Sequence, residues 1–281
     1  MLCDLHTHSY YSDGTWTPAQ LICEAQRLGL GAIVLCDHNT IAGLDDFLDA
    51  ATGKPLEAVP GVEFSTDYCN KELHILGLYI QPQFYAEITK MLQDMLDRKE
   101  QSNVDLVAAL NRAGYAISYE KIKASTKEGF LNRAHIGAAM TEAGYTESIQ
   151  DAFKRFLNPS QGYYVPPKRM DAYETIRYIK SIGGIAVLAH PFLSMEEASL
   201  RAFLPYAVEC GLDAMEVLYS KYSDETTELA KKIAEEFGVL PSGGSDFHGE
   251  NKPDIQLGSG RGALAVPLEF LAAMKRKNGI V

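Results

Sequence analysis

The chain has 281 residues and 46% hydrophobic content, enough to bury a large core. Its net charge of −11 excludes binding to long duplex nucleic acid by bulk electrostatics, so a phosphate-bearing substrate would need a local positive site. No run approaches the ~20 apolar residues of a membrane helix, and no basic-then-apolar leader opens the chain. The five cysteines form no C-x-x-C pair, as expected of a reduced, cytoplasmic protein with no membrane partner.

An apolar strand from Met1 to Leu5 leads into His6-Thr7-His8 and then Ser12-Asp13-Gly14. Side chains two apart on a strand share a face, so His6 and His8 converge. Thr17-Pro18-Ala19-Gln20 is a helix start, with Thr17 as N-cap, Pro18 at the first helical position and Gln20 closing a capping box. That helix ends near Gly29, and a strand from Ala32 to Cys36 leads to Asp37-His38. This is a βαβ unit, so its two strands should be parallel. The next strand ends at Gly61-Val62-Glu63. Only ten residues lie between Glu63 and His74, too few for a helical crossover. A strand over 73–80 should therefore run antiparallel, bringing His74 to Glu63.

Helical periodicity dominates residues 84–162, with Met91, Leu92, Met95, Leu96, Val107 and Leu110 on an apolar stripe suited to core packing. Gly114 and Gly144 look like helix stops. This stretch is read as a helical insertion over the mouth of a discontinuous barrel formed by residues 1–83 and 163–281. Beyond it, Asp171 caps a helix stopped by Gly183-Gly184, and a strand over 185–189 delivers His190. A helix over about 196–210 leads to a strand over 214–218. A helix over about 224–237 leads to Val239-Leu240 and Ser242-Gly243-Gly244-Ser245-Asp246. A last strand over 262–266 precedes a helix from Pro267. Strand–helix alternation argues for an α/β barrel or sheet with its site at the C-terminal strand ends.

Most of the seven histidines fall at such strand ends, together with Glu63 and Asp246. Donors of this kind, nitrogen and oxygen without a thiolate, suit Mn, Fe or Zn and disfavour a structural Cys-rich zinc site. A rim of imidazoles and carboxylates can hold two or three divalent ions close together. Such clusters clamp the attacking and leaving oxygens of a phosphoryl displacement and lower the pKa of a bridging water.

The motifs D-L-H-T-H-S…S-D-G, C-D-H-N-T, G-V-E-F-S, L-A-H-P and G-S-D-F-H resemble those of the PHP (polymerase and histidinol phosphatase) family, in particular its stand-alone metal-dependent phosphoesterases, over nearly the whole chain. The resemblance implies a distorted seven-stranded (β/α) barrel and three metal positions. His6, His8, Glu63 and Asp246 would hold one ion. Glu63 would bridge to a second, held with His74 and His190. Asp13, His38 and His248 would hold the third. In the insertion, Asn132-Arg133-Ala134-His135 matches a subgroup motif; Arg133 would fork onto phosphate oxygens and His135 would donate to the leaving oxygen.

The expected activity is hydrolysis of small phosphate esters by a metal-bridged hydroxide. The resemblance favours nucleotide-type substrates: nucleoside 3′,5′-bisphosphates, cyclic phosphodiesters or short RNA ends. Alternatives are a histidinol-phosphate phosphatase, an amide or lactone hydrolase, and a non-catalytic metal-binding accessory module. Lesser candidates are Lys99, Lys168, Tyr163 and Tyr164 near the pocket, Ser65 behind Glu63, and Glu216 reaching the rim from its strand. One departure stands out: after His190-Pro191 the relatives often continue with glycine, arginine and an aromatic residue, and this chain has Phe192-Leu193-Ser194.

Overall fold

A computed structural model describes residues 1–126 and 131–280. The chain divides into two compact units, Met1–Lys90 with Arg169–Val281, and Met91–Lys168.

The first unit is built on strands β1 (Leu2–Thr7), β2 (Ala32–Leu35), β3 (Glu57–Tyr68), β4 (Lys71–Leu78), β5 (Met170–Asp171), β6 (Ile185–Leu188), β7 (Ala214–Tyr219), β8 (Leu240–Gly244) and β9 (Val266–Pro267). They form one sheet in the order β8-β7-β6-β4-β3-β2-β1-β9, with β5 pairing β3 off this path. The chain leaving β8 closes onto β1. Asp246 N donates to His6 O at 2.9 Å and His8 N to Phe247 O at 3.0 Å, so the wall is a nearly closed barrel. In place of the expected seven, eight strands lie on the path; β5 and β9 have two residues each and the other seven have four or more.

Parallel pairing joins β1, β2 and β3, and again β6, β7 and β8. Parallel strands of an α/β wall are covered on both faces, and all four residues of β2 (AIVL) and of β6 (IAVL) are buried. Leu5, Val34, Val59, Leu76, Val187 and Ala214 meet in one apolar cluster inside the wall.

Antiparallel strand β4 sits between β3 and β6, as the short spacing requires. However, β3 does not stop at Glu63. It continues to Tyr68 and turns through Cys69 and Asn70, both at positive φ (53° and 63°), into Lys71. Two left-handed residues give the twist that a two-residue hairpin needs. The register sets Ser65 opposite His74 and Glu63 opposite Leu76, which makes Glu63 and His74 diagonal neighbours on one face. The last expected strand, 262–266, is reduced to β9. Gly258, Gly260 and Gly262 all have positive φ, and turns there delay extended pairing until Val266.

Helices α1 (Pro18–Arg27) and α2 (Leu44–Ala51) follow β1 and β2. Thr17 caps α1 through the full capping box. The α2 helix was not expected from the sequence; its first turn carries Asp45 and Asp46, favourable at a helix N-terminus. After α3 (Tyr85–Arg112), α4 (Tyr119–Ser125), α5 (Arg133–Glu142) and α6 (Ile149–Ala152), the first unit resumes with α7 (Ala172–Ser181), α8 (Glu197–Glu209), α9 (Asp224–Glu236) and α10 (Leu268–Asn278). Among the described residues, no helix is long and apolar enough to cross a membrane.

The second unit is helical, with Leu106, Leu110, Ile136, Met140, Phe156 and Leu157 in its core. Of the expected stripe, Leu92, Val107 and Leu110 are buried, while Met91, Met95 and Leu96 are half-buried. Gly114 and Gly144 follow helix ends at φ 94° and 77°.

Candidate metal centre

Strand β1 places His6 and His8 on one face, both fully buried. Asp4, two residues earlier on that face, fixes the strand against the end of β8: its carboxylate accepts from Ser245 N and Gly258 N, each at 2.8 Å, and from His6 N at 3.3 Å. The approach of β8 to β1 is close enough that a Cβ on Gly244 would lie 2.3 Å from His6 Cβ. Behind the following loop, Asp37 accepts from Ser9 N at 2.7 Å and from the Ser9 and Ser12 hydroxyls at 2.6 Å, which holds the turn carrying Asp13.

His190 and Asp246, just past the ends of β6 and β8, have positive φ values of 27° and 55°. For a residue with a Cβ this region costs about 1–2 kcal/mol. Local hydrogen bonds hold both: His190 N donates to Glu216 Oε2 at 2.7 Å, and Asp246 N is bound by His6 O. The strained turns aim both side chains into the barrel mouth, where such outliers commonly serve function.

Glu63 is the hub. Its Oε2 lies 3.0 Å from His38 Nδ1 and 3.2 Å from both His6 Nε2 and His8 Nε2. Its Oε1 lies 2.7 Å from His74 Nδ1 and 3.1 Å from His190 Nε2. Asp246 Oδ1 is 3.3 Å from His8 Nε2 and 3.4 Å from His248 Nδ1, and Asp13 Oδ1 is 3.1 Å from His248 Nε2. All nine residues expected as ligands therefore gather on one rim.

Burial disfavours charge on Glu63, yet the surrounding imidazoles hold its carboxyl well below the usual carboxylate range. Asp246 behaves likewise, against burial, through His8 and His6. Burial also opposes protonation of His8, but hydrogen bonding to Asp246 and Glu63 carries its pKa up to about 9. His74, similarly buried, is pushed up to about 10 by Glu63 and Glu72. Burial wins at His38, whose pKa falls to about 3.

The donor set fits divalent cations. His8 Nδ1, His248 Nε2 and Glu63 Oε2 are buried without a hydrogen-bond partner, although other polar atoms lie close by. Buried polar atoms are rarely left so, and imidazole nitrogen and carboxylate oxygen are ligand types that a divalent cation takes. Atoms able to ligate lie within 4.8 Å of one another in the groups His8, Asp13, His38, His248; His6, Glu63, His190; and His38, Glu63, His74. Glu63 and His38 each belong to two groups, so ligands are shared between positions. A further group joins Cys36 to His6 and His8. Burial pushes the Cys36 thiol well up, and its Sγ donates to Thr7 O, so it stays protonated and a poor ligand.

Residues outside the motifs complete the site. Glu216, fully buried on β7, accepts from His6 Nδ1 at 3.0 Å and fixes the proton on that nitrogen. Tyr219 OH and Lys252 Nζ each sit 2.7 Å from Asp246 Oδ2. On the other flank, Glu72 lies 3.5 Å from His74 Nε2 and pairs with Arg169 at 2.8 Å. Asp4 and Glu216 were detectable as acids inside apolar strands; Tyr219, Lys252 and Arg169 carried no sequence signal. Ser65 donates its N–H to Asn39 Oδ1 and accepts from Asn39 Nδ2, bracing the loop of His38.

In the second unit, Arg133 Nη1 donates to Leu157 O at 3.0 Å, and its guanidinium stacks 4.3 Å from the Tyr164 ring centre. His135 Nδ1 accepts from Asn132 N at 3.1 Å, closing a capping box on α5. Tyr163 packs against the helical core, and Lys99 and Lys168 are exposed.

The PHP domain profile matches residues 4–167, more than half of the chain. The chain belongs to the PHP domain family. The match ends before His190, Asp246 and His248, which the fold returns to the PHP domain cluster. A 5′-3′ exoribonuclease of Haemophilus influenzae is 32% identical over 246 residues, 87% of this chain and 89% of that protein. A 3′,5′-nucleoside bisphosphate phosphatase of Chromobacterium violaceum is 27% identical over 259 residues, 90% of each. Among solved structures, one from Bifidobacterium adolescentis, assigned as a metal-dependent phosphoesterase, superposes with a TM-score of 0.76 at 28% identity, covering 98% of this chain and 96% of that one.

Proposed function

We propose that this chain is a metal-dependent phosphoesterase that hydrolyses nucleotide-type phosphate esters. The observation that carries the reading is the enclosure of Glu63 by five imidazoles, with atoms able to ligate gathered within 4.8 Å of one another in groups around it. His6, His8, Asp13, His38, Glu63, His74, His190, Asp246 and His248 would hold two to three Mn, Fe or Zn ions. Bound there, such ions neutralise phosphate oxygens and supply a nucleophile from water at neutral pH.

The chain's own groups prepare that site. Glu216 keeps the His6 proton on Nδ1 and leaves the lone pair of Nε2 free at the cluster, beside Glu63 and His8. The carbonyl of Asp246 accepts from His248 Nδ1 at 2.8 Å and leaves Nε2 facing Asp13. Both arrangements fix a tautomer before any ligand arrives. The Arg133 and His135 pair is proposed to serve the same substrate, Arg133 contacting phosphate and His135 the leaving oxygen; Arg133→Ala should then raise KM. The relatives named above are by name a 5′-3′ exoribonuclease and a 3′,5′-nucleoside bisphosphate phosphatase, which favours nucleotide-type esters here.

The test is release of phosphate or nucleotide from adenosine 3′,5′-bisphosphate, a 2′,3′-cyclic nucleotide, a 5′-phosphorylated short RNA and histidinol phosphate, with Mn²⁺ supplied. Turnover of the nucleotide substrates, lost in His8→Ala and Asp246→Ala, is expected. No turnover of any of them with Mn²⁺, Fe²⁺ or Zn²⁺, or full turnover by the metal-replete variants, would overturn the proposal. Preference for histidinol phosphate would overturn the substrate class alone.

A further inference from the structure

We infer that Lys252 is a direct contact for the substrate's phosphate group at the rim of the metal centre. This rests on the phosphoesterase reading and names a specificity residue for it.

Asp246 divides its two oxygens between opposite tasks. Oδ1 faces His6, His8 and His248 at 3.7, 3.3 and 3.4 Å. Oδ2 is taken by Tyr219 OH and Lys252 Nζ, each at 2.7 Å. Among the described residues, Lys252 is the one lysine or arginine that pairs directly with any of the nine rim residues. An anion drawn to cations beside Oδ1 would arrive next to this ammonium. The overall charge of −11 offers no other general attraction for a phosphate.

The lysine is built in place. Its backbone N–H donates to Gly249 O at 3.2 Å, closing the short turn over Gly249–Asn251. Glu250 N donates to Thr15 Oγ1 at 2.9 Å and Asn251 Nδ2 to Asp13 O at 2.8 Å, so this turn is pinned to the loop that carries Asp13. The side chain is 27% exposed, which leaves it reachable from solvent. An ammonium has three donors, and Asp246 takes one. The remaining N–H groups can reach a phosphate oxygen without releasing Asp246.

The experiment separates contact with phosphate from support of Asp246. Lys252→Met, Lys252→Gln, Lys252→Arg and Tyr219→Phe would be compared by metal content, thermal unfolding, isothermal titration of inorganic phosphate into metal-loaded protein, and kcat and KM for adenosine 3′,5′-bisphosphate. Loss of a charge-assisted hydrogen bond should weaken phosphate binding and raise KM by about ten- to a hundred-fold in Lys252→Met and Lys252→Gln. Metal content should be retained, and Lys252→Arg should recover part of the loss. Tyr219→Phe removes an uncharged donor from the same oxygen and should shift phosphate affinity far less. Unchanged phosphate affinity in Lys252→Met or Lys252→Gln would overturn the inference. So would equal loss of metal in the Lys252 and Tyr219 variants, which would make the lysine a support for Asp246 only. If the wild-type protein turned over no phosphoester, the proposed function would fall, while the phosphate titration would still decide the role of Lys252.

Discussion

Replacing Glu216 with glutamine changes one atom of a fully buried side chain and should invert the tautomer of His6. Glu216 accepts two hydrogen bonds, from His6 Nδ1 at 3.0 Å and from His190 N at 2.7 Å. An amide can accept only through its oxygen. The His190 N–H is an obligatory donor, so the amide oxygen turns to it and the NH₂ group faces His6 Nδ1. That nitrogen must then give up its proton, which moves to Nε2. Nε2 lies 3.2 Å from Glu63 Oε2 and 3.0 Å from His8 Nε2, at the heart of the cluster, and a protonated nitrogen cannot bind a cation. Loss of a partner that orients a metal-binding histidine typically costs about ten- to a hundred-fold in affinity, or about 1.4–2.7 kcal/mol. The metal-free fold should lose only about 1 kcal/mol, since both hydrogen bonds survive in weaker form. Mn²⁺ titration by calorimetry, with bound metal counted by mass spectrometry, measures the first effect; thermal unfolding in chelator measures the second. Wild-type Mn²⁺ affinity and stoichiometry in Glu216→Gln would refute the reasoning.

Gly244→Ala should separate the ends of β1 and β8, because its Cβ would lie 2.3 Å from His6 Cβ and 2.5 Å from His6 N. A destabilisation of about 1–3 kcal/mol, with reduced metal content, is expected in thermal unfolding and metal analysis. Cys36→Ala should retain its metal, since the thiol is held protonated against Thr7 O; a lost ion in metal analysis would make Cys36 a ligand. Chelation should lower the melting temperature of the wild-type protein, because ions that bind only the folded state add about 2.7 kcal/mol at a hundred times their Kd. The same chelation should shift Asp246→Ala by less, since that variant lacks one proposed ligand of the cluster. Mn²⁺ uptake in weak buffer should release protons, since a nitrogen that binds metal must be free of its proton; pH-stat titration reads this directly.

Local chemistry wrote much of the fold into the chain. The Thr17 capping box, the Asp171 cap and the glycines after the helices each act within a few residues, and each is where the sequence places it. The antiparallel turn of β4 followed from chain length alone, since ten residues cannot carry a crossover. Elements that depend on distant partners were less legible. The continuation of β3 to Tyr68 needed the left-handed pair Cys69-Asn70, neither of them glycine. The strand expected over 262–266 shrank because the glycines before Val266 turn the backbone first.

The same division holds at the metal centre. The sequence determined which donors exist and that strand periodicity would aim His6 and His8 together, because both are properties of residues close in the chain. Only the folded barrel decided that Glu63 is the hub, that Glu216 orients His6 from across the wall, and that Tyr219 and Lys252 share one oxygen of Asp246. Those contacts join residues as far as 210 positions apart, as His6 and Glu216 are. Hydrogen-bond geometry over such separations is set by how strands close into a barrel, and no local pattern carries that information.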